Sequence, residues 1–180
     1  GYRDLLDSGS LDSAGQSRAL TRLASEISRM ESLVEDLLLS AQLRGKPVVD
    51  LDTIDACPLI RARVQEWHDD NDEHPLEMVC DGSITIQGRV DLVERLVRNA
   101  LSNISRYTDA TVPVRVTLRR EGLEAVLSIE DGGGGLPTYG DAPPRFWRGD
   151  DSRSRETGGT GLGMSIMSDV ATSLHGTFRT

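Results

Sequence analysis

Glycine is unevenly distributed in this 180-residue sequence, and its distribution limits what the C-terminal half can fold into. Ten of the 18 glycines lie within residues 132–163. Glycine loses more backbone entropy on folding than any other residue, so such a cluster is typical of a backbone that turns tightly or approaches a ligand closely. A flexible linker is the alternative. The first glycines follow a strand-like run and the last open a helix-like run, which favours the structured interpretation.

Composition excludes several classes of function. The chain has 29 acidic and 20 basic residues, for a net charge of −9, whereas a general nucleic-acid binder needs a basic face. With 2 Trp, 3 Tyr and 2 Phe, an aromatic platform for single strands is not expected. No run of 18 apolar residues predicts a membrane span. Cys57 and Cys80 follow no motif spacing, which predicts two free thiols in a reducing compartment.

One long amphipathic helix is predicted over residues 16–43. Apolar residues recur there at alternating spacings of three and four, at Leu20, Leu23, Ile27, Met30, Val34, Leu37 and Ala41. This heptad seam lasts for three repeats and is typical of helices that pack on one another. Leu33 and Leu38 widen the stripe toward the face that a helical bundle needs. Residues 2–7 resemble the end of a preceding helix.

From residue 48 onward the pattern alternates between strands and helices. Strands are predicted at 48–51, 76–80, 84–86, 114–118 and 124–130, helices at 55–67, 90–107 and 161–174, and the start of a strand at 176–180. Asp55 is a candidate N-cap of the helix 55–67. Asp81-Gly82 predicts a hairpin turn between the second and third strands. The predicted fold class is therefore α+β, with helices layered on a mixed sheet over 48–180 and a helical hairpin fragment over 1–45.

Three elements in the second part carry polar or glycine-rich patterns. Asn99, Asn103 and Arg106 recur at i, i+4 and i+7, so they share one face of the helix 90–107. Asp131 ends a strand before four glycines, where its carboxylate suits a ligand amine. Residues 158–163 open a helix, whose N–H groups and positive end suit an anion. An ordinary solvated face, a capped turn and a hinge are the respective alternatives.

Together and in this order, the three elements resemble the catalytic and ATP-binding domain of bacterial sensor histidine kinases. Residues 95–108 are similar to the N box of that family, 131–135 to its first glycine box, 145–148 to its F box and 158–163 to its second glycine box. The helix over 16–43, with the run at residues 34–38, resembles the second helix of the dimerisation and phosphotransfer hairpin. The resemblance implies a two-layer α/β sandwich of the Bergerat type. It implies a partial hairpin over 1–45 and a catalytic domain over 48–180 that ends before the last strands of the family.

The resemblance also implies a site for ATP and Mg²⁺. Asn103 is the implied oxygen ligand of Mg²⁺, and Arg106, where Lys is more usual, neutralises phosphate charge. These two are the implied catalytic residues. Asp131 accepts a hydrogen bond from the adenine amino group and rejects guanine. The other implied nucleotide-binding residues are Asn99, Tyr107, Gly133, Gly135, Phe146, Arg148, Gly159, Thr160, Gly161, Leu162 and Gly163. Residues 138–157 correspond to a mobile lid.

The implied function is the kinase core of a two-component sensor. It moves the γ-phosphoryl group of ATP to a histidine, and then to an aspartate on the receiver domain of a response regulator. The resemblance implies that the parent protein is a membrane-anchored sensor. It also implies that this protein forms a homodimer through helix 16–43 on the cytoplasmic side. The acceptor-histidine box is absent from this sequence, and His68, His74 and His175 lack its context, so we expect no self-phosphorylation.

Two alternatives to this function remain open from the sequence. One is another enzyme of the same superfamily, either an ATPase like those of gyrase and chaperones or an anti-sigma serine kinase. The F-box run and the heptad seam favour the sensor kinase over these enzymes. The other is a non-catalytic dimerising module whose nucleotide site has decayed. The presence of Asn103, Asp131 and the second glycine box counts against that module.

Overall fold

The computed structural model of the chain describes residues 13–43, 48, 50–135 and 161–180. Backbone contacts divide the chain into two compact units, Gly1–Gln42 and Leu43–Thr180. The described helices are α1 (Ser13–Leu43), α2 (Ala56–Asp69), α3 (Val90–Tyr107) and α4 (Gly163–Ser173). The described strands are β1 (Asp52–Asp55), β2 (Leu76–Cys80), β3 (Thr85–Gly88), β4 (Val114–Glu121) and β5 (Glu124–Asp131).

In the first unit, α1 confirms the predicted helix and carries an exposed apolar stripe. Six large apolar side chains on it are 45–64% exposed, namely Leu20, Ile27, Met30, Val34, Leu37 and Leu38. All six belong to the predicted heptad seam or its widened edge. Within the described part of the chain, α1 and the shorter helices all lack the combination of length and hydrophobicity that a membrane span requires.

The second unit places α2 and α3 on one face of a mixed sheet. β2 pairs in parallel with β4, and β4 pairs antiparallel with β5. β1 and β3 form a separate antiparallel pair. A buried apolar layer lies between the helices and the strands. It consists of Ala56, Ile60 and Val64 of α2, Ile84 between β2 and β3, Val93, Val97, Leu101 and Ile104 of α3, and Val114, Val116 and Leu118 of β4. The predicted two-layer α+β class is confirmed.

The predicted hairpin between the second and third strands is wrong, because β2 and β3 do not pair with each other. Gly82 does turn the chain, with a φ of 72°. However, β2 joins β4 in one sheet and β3 joins β1 in the other. Both strands therefore find partners that are distant in sequence, and turn chemistry at Asp81-Gly82 carries no information about those partners.

Two further predicted strands differ from the structure. The first strand lies at Asp52–Asp55 instead of 48–51, because Asp50 adopts a left-handed φ of 67° that interrupts the extended chain. Residues 176–180 form no strand. There His175 adopts a φ of 60°, and the Gly176 N–H donates to the Ala171 carbonyl at 2.7 Å, closing the end of α4.

A polar corner marks the start of α2. Asp55 is its N-cap, as predicted, and Oδ1 accepts from the Cys57 N–H at 3.3 Å. The Ser83 hydroxyl donates to Asp55 Oδ2 at 2.9 Å. The Ala56 N–H donates to the Ile84 carbonyl at 2.9 Å. These bonds tie the first turn of α2 to the segment between β2 and β3.

The structure contradicts the prediction of two free thiols. Cys57 in the first turn of α2 and Cys80 at the end of β2 form a disulfide, with their Cα atoms 6.2 Å apart. That separation is within the range found for protein disulfides. The cysteines are 23 residues apart in sequence. Only the packing of α2 against β2 brings them together, so their spacing in the sequence did not indicate the pair.

Candidate functional site

The polar face of α3 lies beside its buried apolar face. Val97 and Leu101 are 0% and 1% exposed and hold the helix against the sheet. This packing places Asn99 in a half-buried position, and its Nδ2 is buried with no hydrogen-bond partner among the described residues. A buried amide without a partner costs about 1–3 kcal/mol. The orphaned amide therefore fits a site that is completed by a polar ligand.

Asn103, one turn further along α3, faces the first residue of α4. A Cβ added to Gly163 would lie 3.5 Å from Asn103 Oδ1 and 3.7 Å from Asn103 Nδ2. Because glycine has no side chain, space remains between the amide and the helix start. The structure thus brings together the predicted asparagine motif and the last residue of the second glycine motif.

The N-terminus of α4 is suited to an anion. Its N-cap residue, Leu162, provides no side-chain capping bond, and no acidic residue lies in the first turn. Leu162 is 1% exposed and so anchors this helix start in the core. Gly161 has a φ of 70°, a left-handed conformation that glycine adopts at little cost. The positive end of the helix dipole is therefore held beside Asn103 without a neutralising carboxylate in that turn.

Asp131 ends β5 and is fixed by the glycines that follow. Its Oδ1 accepts from the Gly133 N–H at 2.9 Å. A Cβ on Gly133 would stand 2.6 Å from that same oxygen, so a larger residue would displace the Asp131 carboxylate. Gly135 has a φ of 74°. Asp131 is exposed, and within the described residues its Oδ2 forms no hydrogen bond, which leaves an acceptor for a ligand.

Thr108 is a neighbour of this turn that sequence reasoning did not assign. It is the C-cap of α3, and its N–H donates to the Ile104 carbonyl at 2.9 Å. Its Cγ2 and Oγ1 lie 3.4 Å and 3.5 Å from the position of a Cβ on Gly133. Thr108 thereby connects the asparagine-bearing helix to the Asp131 turn. In the sequence, only its position directly after Arg106 and Tyr107 could have indicated that Thr108 lies near the site.

Arg106 and Tyr107 are not joined to these groups by any described hydrogen bond or ion pair. Tyr107 is 53% exposed at the end of α3. Arg106 lines an open cavity of about 350 Å³ between α2 and α3, together with Trp67, Ser102 and Ser105. Their roles remain predictions. Phe146, Arg148, Gly159, Thr160 and the predicted lid 138–157 lie outside the described residues.

The layered helices and mixed sheet define the class of protein as a two-layer α+β domain of the Bergerat ATP-binding type. The chain belongs to the family of histidine kinase-, DNA gyrase B- and HSP90-like ATPases, which matches residues 88–180.

Within this family, the chain is similar to sensor histidine kinases. The chain is 32% identical over 180 residues to the probable sensor histidine kinase TcrY of Mycobacterium tuberculosis, covering 98% of this chain and 38% of TcrY. It is 29% identical over 191 residues to the sensor-like histidine kinase SenX3 of the same species, covering 99% of this chain and 46% of SenX3. The chain thus spans less than half the length of these relatives. They confirm the predicted resemblance to sensor histidine kinases.

A solved structure supports the fold. The histidine kinase AdeS of Acinetobacter baumannii superposes with a TM-score of 0.73 at 18% identity, covering 96% of this chain and 81% of that one. The superposition shows that the two chains share an architecture.

Proposed function

We propose that this chain binds Mg-ATP between α3 and α4 and is the kinase core of a two-component sensor histidine kinase. The observation that carries the proposal is the Asn103 amide facing Gly163 at the start of α4. An amide oxygen is a hard ligand that suits Mg²⁺, and a helix N-terminus suits the phosphates. The names of TcrY and SenX3 support the reaction class.

Five residues of the site have distinct roles in this proposal. Asn103 supplies an oxygen ligand to Mg²⁺, and the unpartnered Nδ2 of Asn99 donates to a phosphate oxygen. Asp131 Oδ2 accepts from the adenine amino group, while Gly133 leaves room for the base. Arg106 shares the Asn99 face of α3 but its side chain also lines the cavity toward α2, and in this proposal it turns to the phosphates to neutralise their charge. Mg²⁺ supplies charge neutralisation and orients the phosphates when it is bound.

The described residues suit a metal ion that is held partly by the protein and partly by a bound nucleotide. The described residues include no group of three or more His, Cys, Asp and Glu that could hold an ion by themselves. A single asparagine is enough where the nucleotide phosphates complete the coordination, because Mg²⁺ is commonly bound by few protein ligands together with phosphates. Metal and nucleotide are therefore proposed to bind together.

The phosphoryl acceptor in this proposal is a histidine on the dimerisation hairpin, and the final acceptor is the receiver domain of a response regulator. His74 does not suit the first role, since it is 2% exposed and its Nδ1 lies 2.9 Å from the Val112 carbonyl. We infer that the present chain acts as the donor half and does not phosphorylate itself. Its place on the cytoplasmic side of a membrane sensor belongs to the same proposal.

Gly163→Ala tests the site directly. We expect Mg-ATP binding to weaken about 10-fold, or roughly 1.4 kcal/mol, because the methyl group occupies the space between Asn103 and the helix start. The fold should accept the change, since the Cβ makes only ordinary contacts of 3.5 Å and 3.7 Å with Asn103. Alanine also has a better helix propensity than glycine. Calorimetric titration and thermal unfolding of the same samples measure both effects.

Thr172→Ala is the matched control, because Thr172 is exposed near the opposite end of α4. It should leave nucleotide affinity unchanged. An unaltered affinity in Gly163→Ala would argue against a site between α3 and α4. If the melting temperature of that variant were also lowered, any loss of binding would be explained by a destabilised fold.

We also propose that α1 forms a homodimer through its exposed apolar stripe. The six side chains of that stripe are 45–64% exposed, and burying a side chain of this type is worth about 1.5–3 kcal/mol. A second copy offers the same stripe, so pairing two α1 helices covers both. The heptad spacing is the pattern that such helix pairing requires.

Val34→Lys is expected to raise the dissociation constant of this dimer at least about 10-fold, because a charge then lies in the apolar seam. Ser32→Lys adds the same charge at an exposed position outside the seam and should change the constant little. Sedimentation equilibrium of the full chain measures both variants. Equal effects of the two substitutions would contradict pairing through the stripe.

A further inference from the structure

The only two cysteines of the chain meet at the corner where α2 begins, and the proposed nucleotide site uses neither of them. Both are half-buried, and they form the disulfide described above. The corner is also held by the Ser83–Asp55 and Ala56–Ile84 hydrogen bonds. A chain of this length buries enough surface to fold without a cross-link. The disulfide can therefore open while the corner persists.

The two sulfur atoms have different surroundings. Cys57 lies in the first turn of α2, at the positive end of the helix, and the Arg61 Nη2 is 3.9 Å from its Sγ. Both features stabilise a thiolate. The nearby negative group is Asp55, whose two carboxylate oxygens are occupied by the Cys57 N–H and the Ser83 hydroxyl.

Among the residues that the structure describes, Cys80 has no comparable contact that would stabilise negative charge. It ends a strand, and its Sγ lies 3.5 Å from the Gly82 carbonyl oxygen, a partner that suits a protonated thiol as donor. Apart from the disulfide bond, the Cys80 sulfur thus contacts a hydrogen-bond acceptor, whereas the Cys57 sulfur contacts a cation. Cys57 is the better attacking nucleophile of the pair.

We propose that Cys57 and Cys80 are a site of reversible exchange with low-molecular-weight thiols and disulfides. In oxidation, the Cys57 thiolate attacks one sulfur of a small disulfide, forming a mixed disulfide and releasing one small thiolate. The Cys80 thiolate then attacks Cys57 Sγ, forming the protein disulfide and releasing the second. Two electrons pass from the cysteines to the small disulfide, and the two cysteine protons end on the released thiols. Reduction by small thiols reverses both steps.

The bond has a structural consequence that can be measured. It joins the first turn of α2 to the end of β2. The covalent loop that it closes contains most of α2, the connection that follows α2, and β2. Closing a loop restricts the unfolded chain, so the oxidised form should be the more stable. We expect its melting temperature to exceed that of the reduced form by roughly 5 °C or more.

The test equilibrates the full chain in buffers with different ratios of reduced to oxidised glutathione, followed by acid quenching, alkylation and mass spectrometry. We expect one two-electron transition and a cross-linked peptide pair containing Cys57 and Cys80. In Cys80→Ser, glutathione should accumulate on Cys57. In Cys57→Ser, glutathionylation of Cys80 should be at least about 10-fold slower. Arg61→Gln in the Cys80→Ser background should slow the reaction of Cys57 several-fold. Arg98→Gln, an exposed control beside the C-terminal half of α2, should not.

Thiols that stay reduced at every ratio, or a cross-link only between chains, would overturn the site. Equal rates in the two single-cysteine variants would overturn the assignment of Cys57 as the attacking residue. The readout is the mass of the unliganded chain, so these results are independent of whether the chain binds ATP.

Discussion

Asn103→Ala is expected to remove the Mg²⁺ dependence of ATP binding. The substitution deletes the amide that faces Gly163, and with it the proposed oxygen ligand of the metal. Losing a partner of a charged group costs about 1.5–3 kcal/mol, which corresponds to roughly 10- to 150-fold in affinity. The loss should be confined to titrations that contain Mg²⁺, so that the affinities of the wild type and the variant converge when the metal is chelated.

The matched control for this change is Ser102→Ala. Ser102 is the preceding residue of α3 and is also half-buried, but it lines the cavity on the α2 side. It should retain the Mg²⁺ dependence of the wild type. If Asn103→Ala kept that dependence, the metal would have to be held elsewhere, and the proposed role of Asn103 would be wrong.

Asp131→Asn is expected to weaken ATP binding by about 1–3 kcal/mol and to reduce discrimination against GTP. Asparagine still offers an Oδ1 to the Gly133 N–H, now 2.9 Å from Asp131 Oδ1, so the turn should persist. Its second group is an NH₂ donor, which cannot accept from the adenine amino group but can donate to the carbonyl of guanine. Parallel calorimetric titrations with ATP and GTP measure the change in preference.

Glu130→Gln is the control for lost negative charge at this strand end. Glu130 is exposed and, as the adjacent residue of β5, points to the opposite face of the sheet. It should leave the ratio of ATP to GTP affinity as in the wild type. An unchanged ratio in Asp131→Asn would show that Asp131 does not recognise the base.

Local patterns predicted the helices well because their causes are local. The apolar and polar faces of α3 repeat within each turn, and the observed helix, Val90–Tyr107, has the predicted bounds. Asp55 was likewise identified as the N-cap of α2, since capping depends on the adjacent residues. The same reasoning placed Asn99 and Asn103 on one face of α3.

Contacts between distant segments were not predictable in this way. The pairing of β2 with β4 depends on how the helices cover the sheet, and the turn at Asp81-Gly82 gave no sign of it. The approach of Thr108 to Gly133 and the bond between Cys57 and Cys80 arise from the same long-range packing. The order of the motifs indicated a shared site, but only the fold shows that Asn103 meets Gly163.

The strand register has a consequence for how substrate choice is encoded. Asp131 lies opposite Val114, and a shift of one residue in that pairing would turn its carboxylate to the other face of the sheet. Asn103 instead owes its position to the packing of α3 beside α4. In the proposed site, base recognition is thus encoded by alignment of two strands and metal binding by contact of two helices. Base preference and metal affinity can therefore change independently by mutation.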